Sequence, residues 1–191
     1  MSNDPAEQLA GVTAIRRLLA KEHKPPVEPV IKAGIIPRLI EFITSPNVKI
    51  ALEAAWAVTN VASTEHTSVV VSLGALPSLV QGMMSADANV REQCIWCVGN
   101  IAGDSPKNRD AVISSAGAMQ ALLLNAQHPE SPAMLANVTW ALANLCRGKP
   151  APLAEVLAPL LPALVYLAGQ NDKAVVADAL WGLSYMTEGH E

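Results

Sequence analysis

Four tryptophans, each followed four residues later by a hydrogen-bonding side chain, are the residues of this sequence best suited to binding chemistry. They include every tryptophan of the chain. A spacing of four places both members of a pair on one face of a helix, one turn apart. An indole offers a cation an electron-rich face, and an amide offers both a donor and an acceptor. The pairs are Trp56/Asn60, Trp96/Asn100, Trp140/Asn144 and Trp181/Tyr185.

A polar residue also stands three positions before each tryptophan, on the same helix stripe. These residues are Glu53, Gln93, Asn137 and Asp178. A single tryptophan at helical spacing is more often part of a core than of a binding site. A core face would not carry polar side chains in every copy, however, so the stripe is predicted to face solvent or a ligand.

The segments around the pairs recur with a nearly constant period. The steps between successive tryptophans are 40, 44 and 41 residues. Each unit is predicted to contain a short helix, a sharp turn, a medium helix, a polar turn and a longer helix that carries the tryptophan. The short helix of one unit is predicted at 111–116. Asn47, Asp87 or Asn89, and Asn171 are predicted to cap longer helices. Helical repeats of about 40–47 residues are typical of HEAT and armadillo arrays, and the short first helix favours the armadillo type.

The sequence therefore predicts an all-α fold, a right-handed superhelical armadillo-repeat solenoid of about four to five repeats. Residues 1–191 are predicted to form a single array, because no linker or low-complexity stretch divides them. Neither end has the polar cap that closes a solenoid. We therefore expect the chain to be a truncated fragment of a longer array.

Composition and motif spacing argue against catalysis, cofactors and nucleic acid. The formal charge of −4 is unfavourable for binding a polyanion such as nucleic acid. The apolar stretch at 152–168 is interrupted by prolines and a glutamate, so it is predicted not to span a membrane. Cys94 and Cys97 form a CxxC without a second pair or a histidine at ligand spacing, so they are predicted to be apolar filler in a helix. The chain is predicted not to be an enzyme and to bind no metal. Three basic residues, Arg16, Arg17 and Lys21, are predicted to form a solvated helix face.

The repeated pairs instead predict a site for an extended basic peptide. Stacked helices pack about 8–10 Å apart, and an extended strand advances about 3.3 Å per residue, so one pair serves about three peptide residues. Amides hold the peptide main chain whatever its sequence. Indole faces suit the stems and heads of lysine and arginine.

Several segments resemble the importin-α (karyopherin-α) family of nuclear-import adaptors. They are AGIIPRLIEFI, EAAWAVTNVAS, REQCIWCVGNIAGDS and WALANLCRGKPAP, and the resemblance covers nearly the whole chain, from late in the first repeat to most of the fifth. It implies the groove that binds classical nuclear localisation signals, which are short peptides rich in lysine and arginine. It also implies a protein that shuttles between cytoplasm and nucleus.

By that resemblance each candidate residue receives a role in peptide binding. Asp104 would pair with the critical lysine, helped by Thr67, and Gln93 and Asp178 would line neighbouring pockets. Glu22 would lie at the exit of the groove. The indoles of Trp56, Trp96, Trp140 and Trp181 would form the walls, and Asn60, Asn100 and Asn144 would bind the peptide main chain, with Tyr185 in place of the fourth asparagine.

One segment departs from the family. Residues 62–67 are shorter than the family's usual loop, which supplies a glycine carbonyl to the lysine pocket, so Thr64 or Glu65 would stand in for that carbonyl.

The partners implied by the resemblance are proteins that carry nuclear localisation signals. Importin-β is expected to bind the full-length protein through a basic segment that this sequence does not contain. The alternative is an armadillo scaffold that binds another extended peptide, although scaffolds of that kind use a basic groove for acidic partners.

Overall fold

Regular structure in the computed structural model, which describes residues 4–21 and 23–188, is entirely helical. The helices in those ranges are α1 (Pro5–Leu19), α2 (Val27–Lys32), α3 (Ile36–Phe42), α4 (Val48–Ala62), α5 (Thr67–Ser72), α6 (Ala75–Gly82), α7 (Ala88–Asp104), α8 (Pro106–Ser114), α9 (Ala118–Gln127), α10 (Pro132–Cys146), α11 (Ala154–Leu157), α12 (Leu161–Ala168) and α13 (Lys173–Thr187). A 3₁₀ turn at Ala158–Leu160 lies between α11 and α12. The all-α prediction is confirmed. Within the part of the chain described, no helix is both long and apolar enough to cross a bilayer.

The chain divides into two compact units, Met1–Cys97 and Val98–Glu191. The division falls inside α7. In the first unit α1 and α3 both pack against α4, and in the second α10 and α12 both pack against α13. The expectation of a single array over residues 1–191 stays a prediction.

Side-chain caps decide where the long helices begin. Asn47 caps α4 as predicted, because its Oδ1 accepts from the amide of Lys49 at 3.1 Å. Of the two candidates for α7, Asp87 is the cap, and it accepts from the amides of Asn89 and Val90. The predicted cap of α13, Asn171, is wrong. The carboxylate of Asp172 accepts from the amides of Ala174 and Val175 at 2.9 and 3.1 Å.

The helix predicted at 111–116 begins earlier, at Pro106. Ser105 has an extended backbone, and its hydroxyl accepts from the amide of Asn108 at 3.3 Å. A proline directly after the cap has the backbone angle that a helix needs and lacks only an amide proton that would have no intrahelical partner. The Ser-Pro pair was therefore the start signal, and Ser131-Pro132 starts α10 in the same way.

The sharp turns between short and medium helices depend on glycine. Gly34, Gly74 and Gly117 have φ angles of 68°, 79° and 82°. This left-handed backbone costs a residue with a Cβ about 1–2 kcal/mol, and glycine very little. These turns reverse the chain, so that each medium helix lies beside the long helix that follows it.

The core of each unit is built from aliphatic side chains on the long and medium helices. In the first unit Ile50, Val58 and Leu39 are almost fully buried, and in the second Leu142 and Leu164 are. Burying one such side chain contributes about 1.5–3 kcal/mol. The long helices also carry the tryptophans, so the core fixes the orientation of these helices about their own axes.

We expect Asp172→Ala to destabilise the second unit by about 0.5–2 kcal/mol, because two amides at the start of α13 lose their acceptor. Asn171→Ala is the matched control and should change stability very little. Urea denaturation monitored by circular dichroism measures both. Equal losses in the two variants would contradict the assignment of Asp172 as the cap.

Candidate functional site

The two indoles of the first unit are open to solvent although the residues beside them are buried. Trp56 is 37% exposed and Trp96 is 44% exposed. Ala55 and Ala57, on either side of Trp56, have no exposed surface. Helix α4 therefore buries its alanines against its neighbours and turns the indole outward. The largest side chain of the segment is the one that the packing leaves outside.

Arg16 occupies one face of the first indole. Its guanidinium carbon lies 4.4 Å from the ring centroid of Trp56. The same group forms two hydrogen bonds with Glu53, Nε to Oε2 at 2.8 Å and Nη2 to Oε1 at 3.1 Å. Its main-chain carbonyl accepts from Nδ2 of Asn60 at 3.4 Å. The prediction of a solvated face is wrong for Arg16 and correct for its neighbours, since Arg17 and Lys21 are exposed.

The other two candidates of the first unit are held by hydrogen bonds to the protein. Nε2 of Gln93 donates to Oγ1 of Thr59 at 2.9 Å, and that hydroxyl donates to the carbonyl of Ala55 at 2.8 Å. Thr67 is buried, and its hydroxyl lies 2.8 Å from the carbonyl of Ala62 and 2.7 Å from that of Thr64. A hydroxyl has one proton, so Thr67 spends its only donor on closing the turn after α4.

In the second unit Trp140 and Asn144 lie directly on two glycines of α7. A Cβ built on Gly99 would stand 2.3 Å from Cζ3 of Trp140, and one on Gly103 would stand 2.9 Å from Nδ2 of Asn144. That amide donates to the carbonyl of Gly99 at 3.1 Å. Asn144 is almost fully buried and Trp140 half-buried. The glycines thus provide the space into which the third pair fits.

The remaining residues at the end of α7 differ in their hydrogen bonding. Asp104 is exposed, and its Oδ2 accepts from Nδ2 of Asn108 at 2.7 Å. This bond restrains the orientation of the carboxylate. Nδ2 of Asn100 is buried without a hydrogen-bond partner in the described part of the chain. A buried donor without an acceptor costs about 1–3 kcal/mol.

The fourth pair forms an aromatic surface. The rings of Trp181 and Tyr185 stack with centroids 5.7 Å apart and planes 24° from parallel. Trp181 is 57% exposed. Asp178 stands one turn before it in α13, and burial raises the pKa of its carboxyl above the ordinary value. A cation brought to this carboxyl would replace some of the solvation that burial removes.

The polar stripe three residues before each tryptophan was predicted to face solvent or a ligand, and that stays a prediction. All four residues are half-buried. Glu53 is turned to Arg16 and Gln93 to Thr59, each on a neighbouring helix. A helix in a stack has neighbours on two sides, so a position beside the indole can face the next helix rather than open solvent. At Glu53 and Gln93 the polarity therefore has a structural reason, a contact with the neighbouring helix.

Two features escaped the sequence analysis. Arg109 is buried, and its guanidinium donates to the carbonyls of Arg147, Gly148 and Pro150 and pairs with Asp110. No local pattern signals a partner 38–41 residues away. The glycines of α7 did have a signal, because Gly99 and Gly103 are spaced four apart beside the tryptophan segment, a spacing that exposes one helix face to close approach. One predicted site residue, Glu22, which was expected at the exit of the groove, lies outside the described residues.

The cysteines show the packing role that their spacing predicts. Cys94 and Cys97 are buried in α7. Burial raises the pKa of both thiols, that of Cys97 to about 12, so neither is a thiolate at neutral pH. Among the described residues no three histidine, cysteine or acidic side chains are grouped to hold a metal.

Comparison with family models supports the predicted repeat class. The model described as Armadillo/beta-catenin-like repeat matches residues 23–63, 63–103 and 105–147. Solved structures agree with it. A designed armadillo repeat protein in complex with the peptide (KR)4 superposes with a TM-score of 0.87 at 24% identity, covering 97% of this chain and 78% of its own. A computationally designed armadillo repeat protein for modular peptide recognition gives 0.83, also at 24%, covering 96% and 78%.

Curated relatives carry the name that the motifs suggested. Importin subunit alpha-2 of Arabidopsis thaliana is 46% identical over 98% of this chain and 36% of its own length. Importin subunit alpha-3 of Caenorhabditis elegans is 52% identical over 98% and 37%. The resemblance is confirmed, and these names agree with the prediction that the chain is not an enzyme. The chain spans little more than a third of these relatives.

We expect Gly99→Ala to destabilise the second unit by about 1–3 kcal/mol, because its Cβ would overlap the ring of Trp140. Gly11→Ala in α1 is the control. No atom lies within 4 Å of a Cβ built there, so the helix should gain about 0.5–1 kcal/mol. Urea denaturation and tryptophan fluorescence measure the changes. An unshifted spectrum and unchanged stability in Gly99→Ala would contradict the close contact.

We expect Asp178→Asn to raise stability slightly at neutral pH. Because burial raises the pKa of this carboxyl, the folded chain binds more protons than the unfolded chain between the ordinary and the raised pKa. The cost of the buried charge is therefore present above the raised pKa and is lost as the pH falls. The difference between wild type and variant should shrink on acidification. Exposed Glu155, changed to Gln, is the control, and a loss of stability in Asp178→Asn at pH 7 would contradict the prediction.

Proposed function

The chain belongs to the armadillo repeat family, and on that premise we propose that it binds an extended peptide rich in lysine and arginine. In this proposal it is the part of a nuclear-import adaptor that recognises classical nuclear localisation signals. The observation that carries the proposal is the outward position of the indoles. Trp56, Trp96 and Trp181 are exposed on helices whose adjacent positions are buried.

An exposed indole is unfavourable for the free energy of folding, because its apolar surface stays in water until a ligand covers it. Tryptophan is highly buried on average in folded proteins, and an exposed ring leaves apolar surface in water. A lysine stem laid on the ring covers that surface, and its ammonium gains about 0.5–2 kcal/mol from the ring quadrupole. Several such contacts in one peptide add up to specific binding without a deep pocket.

Carboxylates near the indoles would select cations over other side chains. Asp104 is exposed, and Asn108 restrains its orientation, so the carboxylate would pair with a cation at little cost in side-chain entropy. Asp178 is partly desolvated, which makes pairing with an ammonium more favourable than it would be in water. Both carboxylates disfavour an acidic peptide by repulsion.

The amides supply an element of recognition that does not depend on peptide sequence. Nδ2 of Asn60 is engaged by the carbonyl of Arg16. The inward donor fixes the orientation of the amide, which directs Oδ1 the other way as an acceptor. An extended peptide presents main-chain amide protons at regular spacing and could donate one to this oxygen. Asn144 is more deeply buried, so its amide contributes more to joining α10 to α7 than to contacting a peptide.

The names of the relatives extend the proposal to partners and place. They are importin alpha subunits, and we infer that the present chain likewise serves nuclear import and is found in cytoplasm and nucleus. Its partners would be proteins that carry nuclear localisation signals, and the full-length protein would also bind importin-β. The relatives that carry these names are nearly three times as long as this chain. The activity that we propose for this chain itself is peptide binding.

Calorimetric titration with the peptide PKKKRKV tests the proposal. We expect binding that weakens with added salt, because part of the attraction is between exposed charges. We expect Asp104→Asn to weaken it about tenfold, or about 1.4 kcal/mol, since a neutral amide loses the charge-assisted bond to the lysine. The substitution keeps the shape of the side chain.

Two controls separate the groove from general electrostatic attraction. Glu155→Gln removes an exposed charge elsewhere in the second unit and should leave the affinity unchanged. A glutamate-rich peptide of the same length should not bind. Absence of binding by PKKKRKV at low salt would overturn the proposal, and preferential binding of the acidic peptide would favour a scaffold for other partners.

A further inference from the structure

Arg16 contacts both members of the first tryptophan–asparagine pair. Its guanidinium covers one face of the Trp56 indole, and its main-chain carbonyl accepts from the amide of Asn60. One residue of α1 thus touches the two side chains of α4 that are candidates for ligand binding. The contacts lie within the first unit and require no other part of the chain.

The guanidinium is held in place from two directions. The bidentate bond to Glu53 fixes its plane, and the indole lies against that plane. The side chains of Arg16 and Glu53 are only 16% and 19% exposed. A planar fork that stacks on an aromatic face while it bonds a carboxylate is specific to arginine, and lysine cannot reproduce it. This is therefore an ordered contact rather than a surface ion pair.

The repeat period shows what position Arg16 occupies. It stands forty residues before Trp56, the same spacing that separates Trp56 from Trp96. Arg16 therefore lies where the preceding repeat would carry its indole. At this position a cation of the chain itself lies on the face of Trp56 that is turned to α1. The residue as a whole remains 37% exposed.

We propose that Arg16 is a positioning residue that holds the Trp56 indole in a fixed plane and leaves only the opposite face for a ligand. This inference rests on the proposed function for the identity of the ligand. The position of the ring itself does not depend on it. Without Arg16 the indole would have free volume on one side and could rotate, and Glu53 would be left partly buried without its cation.

A ¹⁹F NMR spectrum of the chain labelled with 5-fluorotryptophan tests the positioning directly. The chain has four tryptophans, so Trp56→Phe assigns the relevant signal. We expect Arg16→Ala to shift and broaden the Trp56 signal and to leave the other three in place. Arg16→Lys keeps the charge but loses the fork, so it should resemble the alanine variant. Addition of methylguanidinium should restore the signal of Arg16→Ala towards the wild-type position.

Peptide affinity provides the second measurement. We expect Arg16→Ala to weaken binding of PKKKRKV about two- to thirty-fold, the range that corresponds to about 0.5–2 kcal/mol for one cation–aromatic contact. Arg17→Ala is the matched control, because it removes the same charge from the adjacent, exposed position. It should change neither the affinity nor the Trp56 signal. If Arg16→Ala does not fold, Glu53→Gln tests the same contact by freeing the guanidinium.

The outcomes separate this inference from the proposed function. An unchanged Trp56 signal in both Arg16→Ala and Glu53→Gln would overturn the positioning role, whatever the peptide does. Tighter peptide binding by Arg16→Ala would also overturn it, since Arg16 would then compete with the ligand. If wild type binds no peptide, the proposed function fails, and the ¹⁹F spectra still decide whether Arg16 fixes the ring.

Discussion

Close approach of the long helices through alanine and glycine is the constraint on which the rest of the structure depends. Helix α4 presents Ala54, Ala55 and Ala57 to its neighbours with no exposed surface. Packing faces this small bring backbones together and leave little volume between them for an indole, except where Gly99 makes room for part of Trp140. The tryptophans must therefore lie at the edge of the contact, where part of each ring remains in water. Tight packing of the helices through small side chains thus produces the exposed aromatic surface.

The amides of the asparagines connect this packing to recognition. Asn60 and Asn144 each donate to a main-chain carbonyl on a neighbouring helix, Arg16 in one unit and Gly99 in the other. Such a bond fixes the amide before any ligand arrives, which lowers the entropic cost of binding. It also means that the repeated asparagine has a structural reason to recur. The repetition alone therefore favours a binding site less strongly than it first suggests, and the exposure of the indoles carries more weight.

Much of the fold followed from local signals, and contacts between repeats did not. The helical period, the glycine turns and the proline starts identified most helices within one or two residues, and Asn47 was the cap that its neighbours indicated. The cap of α13 was misplaced by one residue, because asparagine and aspartate are nearly equivalent caps and their order at 171 and 172 does not decide between them. The Arg16–Glu53 pair spans 37 residues, and only alignment of the repeats brings the two together.

Arg109 has a consequence for how this architecture tolerates changes in chain length. Its buried guanidinium binds three carbonyls in the segment after α10. An inserted or deleted residue there would displace those oxygens and leave the buried guanidinium with Asp110 as its remaining partner. The connection between α9 and α10, at residues 128–131, is exposed apart from Ser131. Related chains that differ in length should therefore vary at that connection rather than after α10, so a single arginine sets which loop can evolve new length.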